Sequence, residues 1–213
     1  MNERFVPLGC LIVRWIDVLS HTHSTRRYRG IDRDFLSWSL APDNTPPGGC
    51  FLEIADALEG IQDVWGFIPD IEAARLIYGR LRQHDQSYEL IACSIEPRVL
   101  QYLDRREPSI VLGGAASAEE VNMLRRAQER LLARPPAPAW DLLGYDVARL
   151  GLDFYSPVFH ELTTDGSIAQ LFPQYREQLN VAGLFGSAEV ALEFLKAYQE
   201  QPDHEEGDFF IYE

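Results

Sequence analysis

The chain has 213 residues, 46% of them hydrophobic and 11% aromatic, and sets 33 acidic side chains against 19 basic ones for a formal net charge of −14. That apolar content suffices for one large domain or two small ones with a real core, and argues against a disordered chain. The negative balance repels nucleic acid and anionic membrane and draws basic partners.

The longest apolar stretches, residues 8–16 and 88–95, hold about nine residues each and are interrupted by Arg14 or Glu89, where a spanning helix needs roughly 20. No membrane segment is expected. Met1-Asn2-Glu3-Arg4 leads into Phe5 and Val6 without a basic region, a long apolar run and a cleavage site, which predicts a cytoplasmic protein. Cys10, Cys50 and Cys93 are an odd number, widely spaced, and none has a cysteine or histidine partner at Cys-x-x-Cys spacing. Buried free thiols are the reading.

In chain order, residues 8–16 are rich in β-branched and aromatic side chains and predict a strand. Residues 20–33 are polar and arginine-rich, and the prolines and glycines of 41–49 require a loop. Ile71, Ala74, Ile77, Tyr78 and Leu81 recur at helical spacing behind Asp70, a capping residue. Residues 88–95 read as a buried strand ended by Glu96-Pro97, and 109–112 as a further short strand. Ser117 and Glu120 have capping-box spacing ahead of the stripe Val121, Leu124, Ala127 and Leu131.

The proline-rich residues 134–138 form a stiff connector. It divides an N-terminal α+β region, 1–134, from a C-terminal α+β region, 139–213, the two either separate or packed as one domain. Beyond it, 154–159 predict a strand, 163–167 a turn, a helix runs from Ser187 to about Glu200, and 209–212 add a last strand. The fold class expected is α+β, a mixed sheet with several flanking helices.

Candidate chemistry is sparse. His21-Thr-His23 with Asp32 and Asp34 offers metal ligands, but Arg26, Arg27, Arg29 and Arg33 beside them oppose a cation. The same arginines with Tyr28 and Trp38 suit phosphate or base contacts, against which stand Asp32, Asp34, Asp43 and the negative net charge. No Gly-x-Ser-x-Gly elbow occurs, and Leu112-Gly-Gly-Ala-Ala lacks the lysine of a phosphate loop.

Charge is more telling. Residues 150–213 carry 12 acidic side chains and two basic ones, Arg176 and Lys196. On the helix after Ser187, Val190, Ala191, Phe194, Leu195 and Tyr198 make the apolar face, with Glu189, Glu193, Lys196 and Glu200 opposite. Asp203, Glu205 and Glu206 extend that acidic cluster, which makes these six carboxylates the candidate partner-binding residues.

The block 140–148, Trp-Asp-Leu-Leu-Gly-Tyr-Asp-Val-Ala, followed by Leu179-Asn180, Gly183-Leu-Phe185, Ser187, 191–195 and Phe209-Phe-Ile-Tyr212, resembles a group of small bacterial proteins. Some of these resemble immunity proteins encoded beside polymorphic or contact-dependent toxins. The resemblance covers about 70 residues and departs after Ala148, where Ser156-Pro-Val-Phe-His160 replaces a Ser-x-Leu-Ser-Asn-Cys segment. It implies a protein that binds and neutralises a cognate toxin, a basic one by charge, with no catalytic group, cofactor or metal. The alternatives are a metal-dependent enzyme using the His21, His23, Asp32 and Asp34 region, and a non-catalytic scaffold or regulatory domain.

Overall fold

The computed structural model describes residues 5–18, 28–32, 60–84, 86, 88–112, 114–150, 156–163, 167–202 and 204–213. Five strands within these form one sheet: β1 (Val6–Val18), β2 (Tyr28–Asp32), β3 (Tyr88–Ile95), β4 (Asp146–Arg149) and β5 (Phe209–Tyr212). Their spatial order is β2-β1-β3-β5-β4. The sheet takes strands from both sides of the proline connector, and the class is α+β. A mixed sheet was expected, yet each pairing is antiparallel. β3 and β4 run the same way, and β5 lies between them in the opposite sense, so the two parallel strands never pair.

The longest strand changes faces along its length. Gly9 has φ +144°, and a β-carbon there would stand 2.7 Å from the Ile68 carbonyl oxygen, so only glycine lets the backbone pass this close. The register against β3 slips between Pro7 and Gly9, and one extra residue moves every later side chain to the opposite face. Val6 and Leu8 therefore join one core cluster while Cys10 and Ile12 join another.

Helices cover both faces. α1 (Ile71–His84) is opened by Asp70, whose Oδ1 accepts from the Glu72 and Ala73 amides, and lays Ala74, Ile77 and Leu81 over Cys10, Ile12 and Tyr88. On the other face α2 (Arg98–Arg105) and α4 (Ala118–Leu132) pack Val99, Leu103, Leu124, Ala127 and Leu131 on Ile91, Cys93, Ile95, Phe210 and Tyr212. The capping box of α4 is complete: the Ser117 hydroxyl accepts from the Glu120 amide and the Glu120 carboxylate from the Ser117 amide. α7 (Ala188–Gln199) returns to the face of α1, at the β4–β5 end, with Ala191, Phe194, Leu195 and Tyr198 buried against Val147, Phe209 and Ile211. The alternation along β5, all four residues of which are buried, feeds the two faces in turn.

Two expectations change. Residues 109–111 belong to a one-turn helix, α3 (Pro108–Val111), capped by Leu112, because Pro108 at its first position presets the helical φ. Of the expected strand 154–159, residues 154 and 155 lie outside the described residues, and the remainder leads into a π-helical segment, Val158–Leu162. There the Ser156 hydroxyl accepts from the Phe159 amide and the Thr163 hydroxyl donates to the Phe159 carbonyl, local bonds that draw the chain away from a ladder. The polar arginine-rich stretch, to which no element was assigned, contains β2. The expected loop 41–49 lies outside the described residues. Two short helices, α5 (Ser167–Leu171) and α6 (Pro173–Arg176), complete the set among the described residues.

Candidate functional site

Of the six carboxylates expected to meet a partner, Glu189, Glu193, Glu200, Glu205 and Glu206 are exposed. Asp203 lies outside the described residues. Burial of the apolar face of α7 fixes this, since Phe194 and Tyr198 have no solvent exposure. Rings of Phe172, Tyr175, Phe185 and Tyr198 surround Phe194 at centroid distances of 5.4–6.0 Å, and Phe209 extends the stack 5.5 Å from Tyr198. Such an aromatic stack permits one rotation of the helix, and Glu189, Glu193 and Glu200, at i, i+4 and i+11, fall on its outer side.

The acidic field reaches neighbouring tyrosines. Burial first, then the Glu213 and Glu189 carboxylates, push the Tyr145 phenol above its ordinary range. Burial, then Glu193 and Glu200, do the same to Tyr175. At the far end of α7, the Glu205 amide donates to the Tyr198 hydroxyl, and His204 Nδ1 lies 2.6 Å from the Gln201 carbonyl. The turn carrying Glu205 and Glu206 is thus tied to the preceding helix.

At its N-terminal end the acidic stripe runs into an open cleft of about 1340 Å³. Its floor is β3 from Glu89 to Ser94, one wall is the segment after the proline connector, and the other is formed by Leu184, Gly186, Ser187, Ala188 and Glu189 with Glu213. Gly144 permits the wall to close on its neighbour: φ is +147°, and a β-carbon would meet Leu184 Cβ and the Phe185 carbonyl at 2.8 Å. Tyr145 and Phe185 then exchange two backbone bonds of 2.9 Å, and Asn180 donates to the Leu143 carbonyl. Behind this, Asp146 is buried and accepts from the Ser156 hydroxyl at 2.7 Å. The block that carried the resemblance is therefore a cleft wall braced from within.

Trp140, Leu142 and Leu143 on that wall are 38%, 53% and 46% exposed, a cluster of large apolar side chains left in water. Glu89, Asp141, Glu189 and Glu213 line the cleft, and no arginine or lysine among the described residues does. The Arg75 guanidinium lies over the Trp140 ring, 6.0 Å from its centroid. Sequence reasoning found Glu189 and missed Glu89, Asp141, Trp140, Leu142 and Leu143 as a surface. The one signal was an apolar run after the prolines with neither helical nor strand periodicity.

His21, His23 and Asp34 lie outside the described residues, and Asp32 is the last residue of β2. Among the described residues no three histidine, cysteine, aspartate or glutamate side chains are grouped to hold a metal ion, and no helix is long and apolar enough to cross a membrane. Cys10 and Cys93 are buried free thiols, and burial pushes the Cys10 thiol up to about 11, where it is a weak nucleophile at neutral pH. Cys50 lies outside the described residues. Compared with known proteins, the chain matches no family model, no curated protein and no solved structure.

Proposed function

We propose that this protein works by binding, as an immunity protein that neutralises a basic cognate toxin through protein–protein contact. The observation that carries the reading is the continuity of two surfaces: an acidic outer face of α7 leads into a cleft whose described lining combines exposed apolar anchors with carboxylates and holds no arginine or lysine. Such an arrangement suits a tight complex, in which a few large side chains anchor the centre and surrounding charge steers the approach. The resemblance of the block 140–148 and the later segments to immunity-like bacterial proteins supports the biological role.

The partner-binding set then comprises Glu189, Glu193, Glu200, Asp203, Glu205 and Glu206 with the cleft residues Trp140, Leu142 and Leu143. The test is to purify the protein together with the toxin encoded beside its gene and to assay the toxin with and without it. A stable complex with loss of toxin activity is expected. A toxin that remains fully active at a large excess of this protein sinks the reading.

A further inference from the structure

The cleft floor offers backbone as well as side chains. Ser94 on β3 exchanges both of its backbone bonds with Glu213, at 2.9 and 2.8 Å. Two residues earlier, Ala92 lies opposite Cys10, and Cys10 gives its own amide and carbonyl to Ile68 on the far side of β1, at 2.8 Å each. Ala92 and Cys10 are thus a non-hydrogen-bonded pair of the β1–β3 ladder. Alternation along an antiparallel strand turns the amide and carbonyl of Ala92, and of Leu90 before it, away from β1. They face the side on which β5 runs, yet β5 pairs no further along β3 than Glu213 with Ser94. Among the described residues none bonds to the backbone of Leu90 or Ala92 there.

Two donors and two acceptors at alternate positions, half-buried on the floor of a cleft, form a length of strand edge that no described residue fills. Its surroundings state what it suits. Trp140 and Leu142 stand across from it, Glu89, Asp141 and Glu189 rim it, and no basic side chain among the described residues lines it.

We propose that an extended, basic segment of a partner protein enters this cleft and pairs with β3 at Leu90 and Ala92 as an added strand. Main-chain bonds supply the register, and alternate side chains meet the apolar wall and the acidic rim. This rests on the binding reading above and goes further by naming the mode of attachment. A second copy of this chain, residues of this chain outside the described ones, or chain continuing beyond Glu213 are the competing occupants.

Amide exchange in the free protein separates these. The Leu90 and Ala92 amides should exchange far faster than that of Ile91, which bonds to β1. Equal protection would mean that the chain itself fills the edge, and protection that grows with protein concentration would assign it to a second copy; either result overturns the proposal. The probe is a synthetic heptapeptide of alternating lysine and valine, compared with its fully N-methylated counterpart, which keeps the charge but has no backbone donors. Binding of the first alone, with at least about tenfold slower exchange at Leu90 and Ala92, is the expected result. Equal binding of both peptides, or binding of neither, defeats strand addition.

With the cognate toxin, Ala92→Pro removes a donor on the open side of β3 while leaving the β1 ladder intact, and should weaken the complex about tenfold or more. Asp141→Lys, an exposed change, should weaken it independently of any effect of proline on folding. A toxin held equally by both variants and the parent sinks strand addition and leaves the immunity reading standing. A toxin that does not bind the parent sinks the latter, while the peptide result still decides the former.

Discussion

Gly144 is a position where one methyl group decides the wall of the cleft. Gly144→Ala forces a left-handed φ of +147° on an alanine and drives its β-carbon to 2.8 Å from the Phe185 carbonyl oxygen, so a loss of about 1–3 kcal/mol is expected. Gly186, next to Phe185 of the Tyr145–Phe185 bridge, has open space around it, and Gly186→Ala should change stability by less than about 0.5 kcal/mol. Urea midpoints of the two variants check this, and equal midpoints would show that the wall yields. The close approach at Gly144 is made by Leu184 and Phe185, remote in the chain, and was not legible in the sequence. Nor were two carboxylates that hold the fold. Glu96 accepts from the Ile211 amide and from Arg98, completing the β3–β5 junction from 115 residues away in sequence. Asp63 accepts from the Trp65 and Phe67 amides and pairs with Arg130, which also donates to the Leu8 carbonyl. Partners that distant leave no local pattern to read.

Helices with side-chain caps were the elements most legible in the residues, since α1, α4 and α7 each announce their start within three positions. The strands Tyr88–Ile95 and Phe209–Tyr212 were equally legible as short apolar runs bounded by breakers. Where propensity misled, one proline or one hydroxyl outweighed it, as at Pro108 and Ser156. In α7 the ring of Phe194 is the keystone of the aromatic stack, and Phe194→Ala should cost about 3–5 kcal/mol; Ser187→Ala, which removes the acceptor for the Val190 amide, should cost about 1 kcal/mol. Thermal unfolding of both variants tests the ranking. In α4 the bonds to Ser117 hold the Glu120 carboxyl below its ordinary value of 4.5. A depressed folded pKa means that its contribution is present above the unfolded pKa and is lost as pH falls through the folded one. Glu120→Gln should therefore be less stable than the parent at neutral pH, and the gap should close well below pH 4.5. A gap that persists unchanged in acid would show that the carboxylate's charge is not what the cap uses.

At the scale of the whole molecule, the acidic face was legible because it sits on one periodic helix, whereas the cleft was not, because three remote segments and residue 213 assemble it. The charge itself needs a cause. Glu200 sits at the C-terminal end of α7, where negative charge opposes the helix dipole by about 0.3–1 kcal/mol for a well-placed group, and Glu205 and Glu206 come soon after it in the chain. Helix stability therefore does not account for them. If they and Glu189 steer a basic toxin toward the cleft, reversing Glu189, Glu193 and Glu205 to lysine should slow association several-fold at low salt, and added salt should shrink the difference as the screening length falls to about 8 Å at physiological ionic strength. Thermal stability should fall only slightly, through Glu189 in the first turn of α7, since all three side chains are exposed. Trp140→Ala should act differently, raising the dissociation rate and leaving association nearly unaltered, because a buried anchor holds a complex already formed. Stopped-flow traces with the neighbouring toxin separate the two effects. Equal association rates for the triple reversal and the parent at low ionic strength would reduce this face to a solvated one, with the cleft left to carry recognition alone.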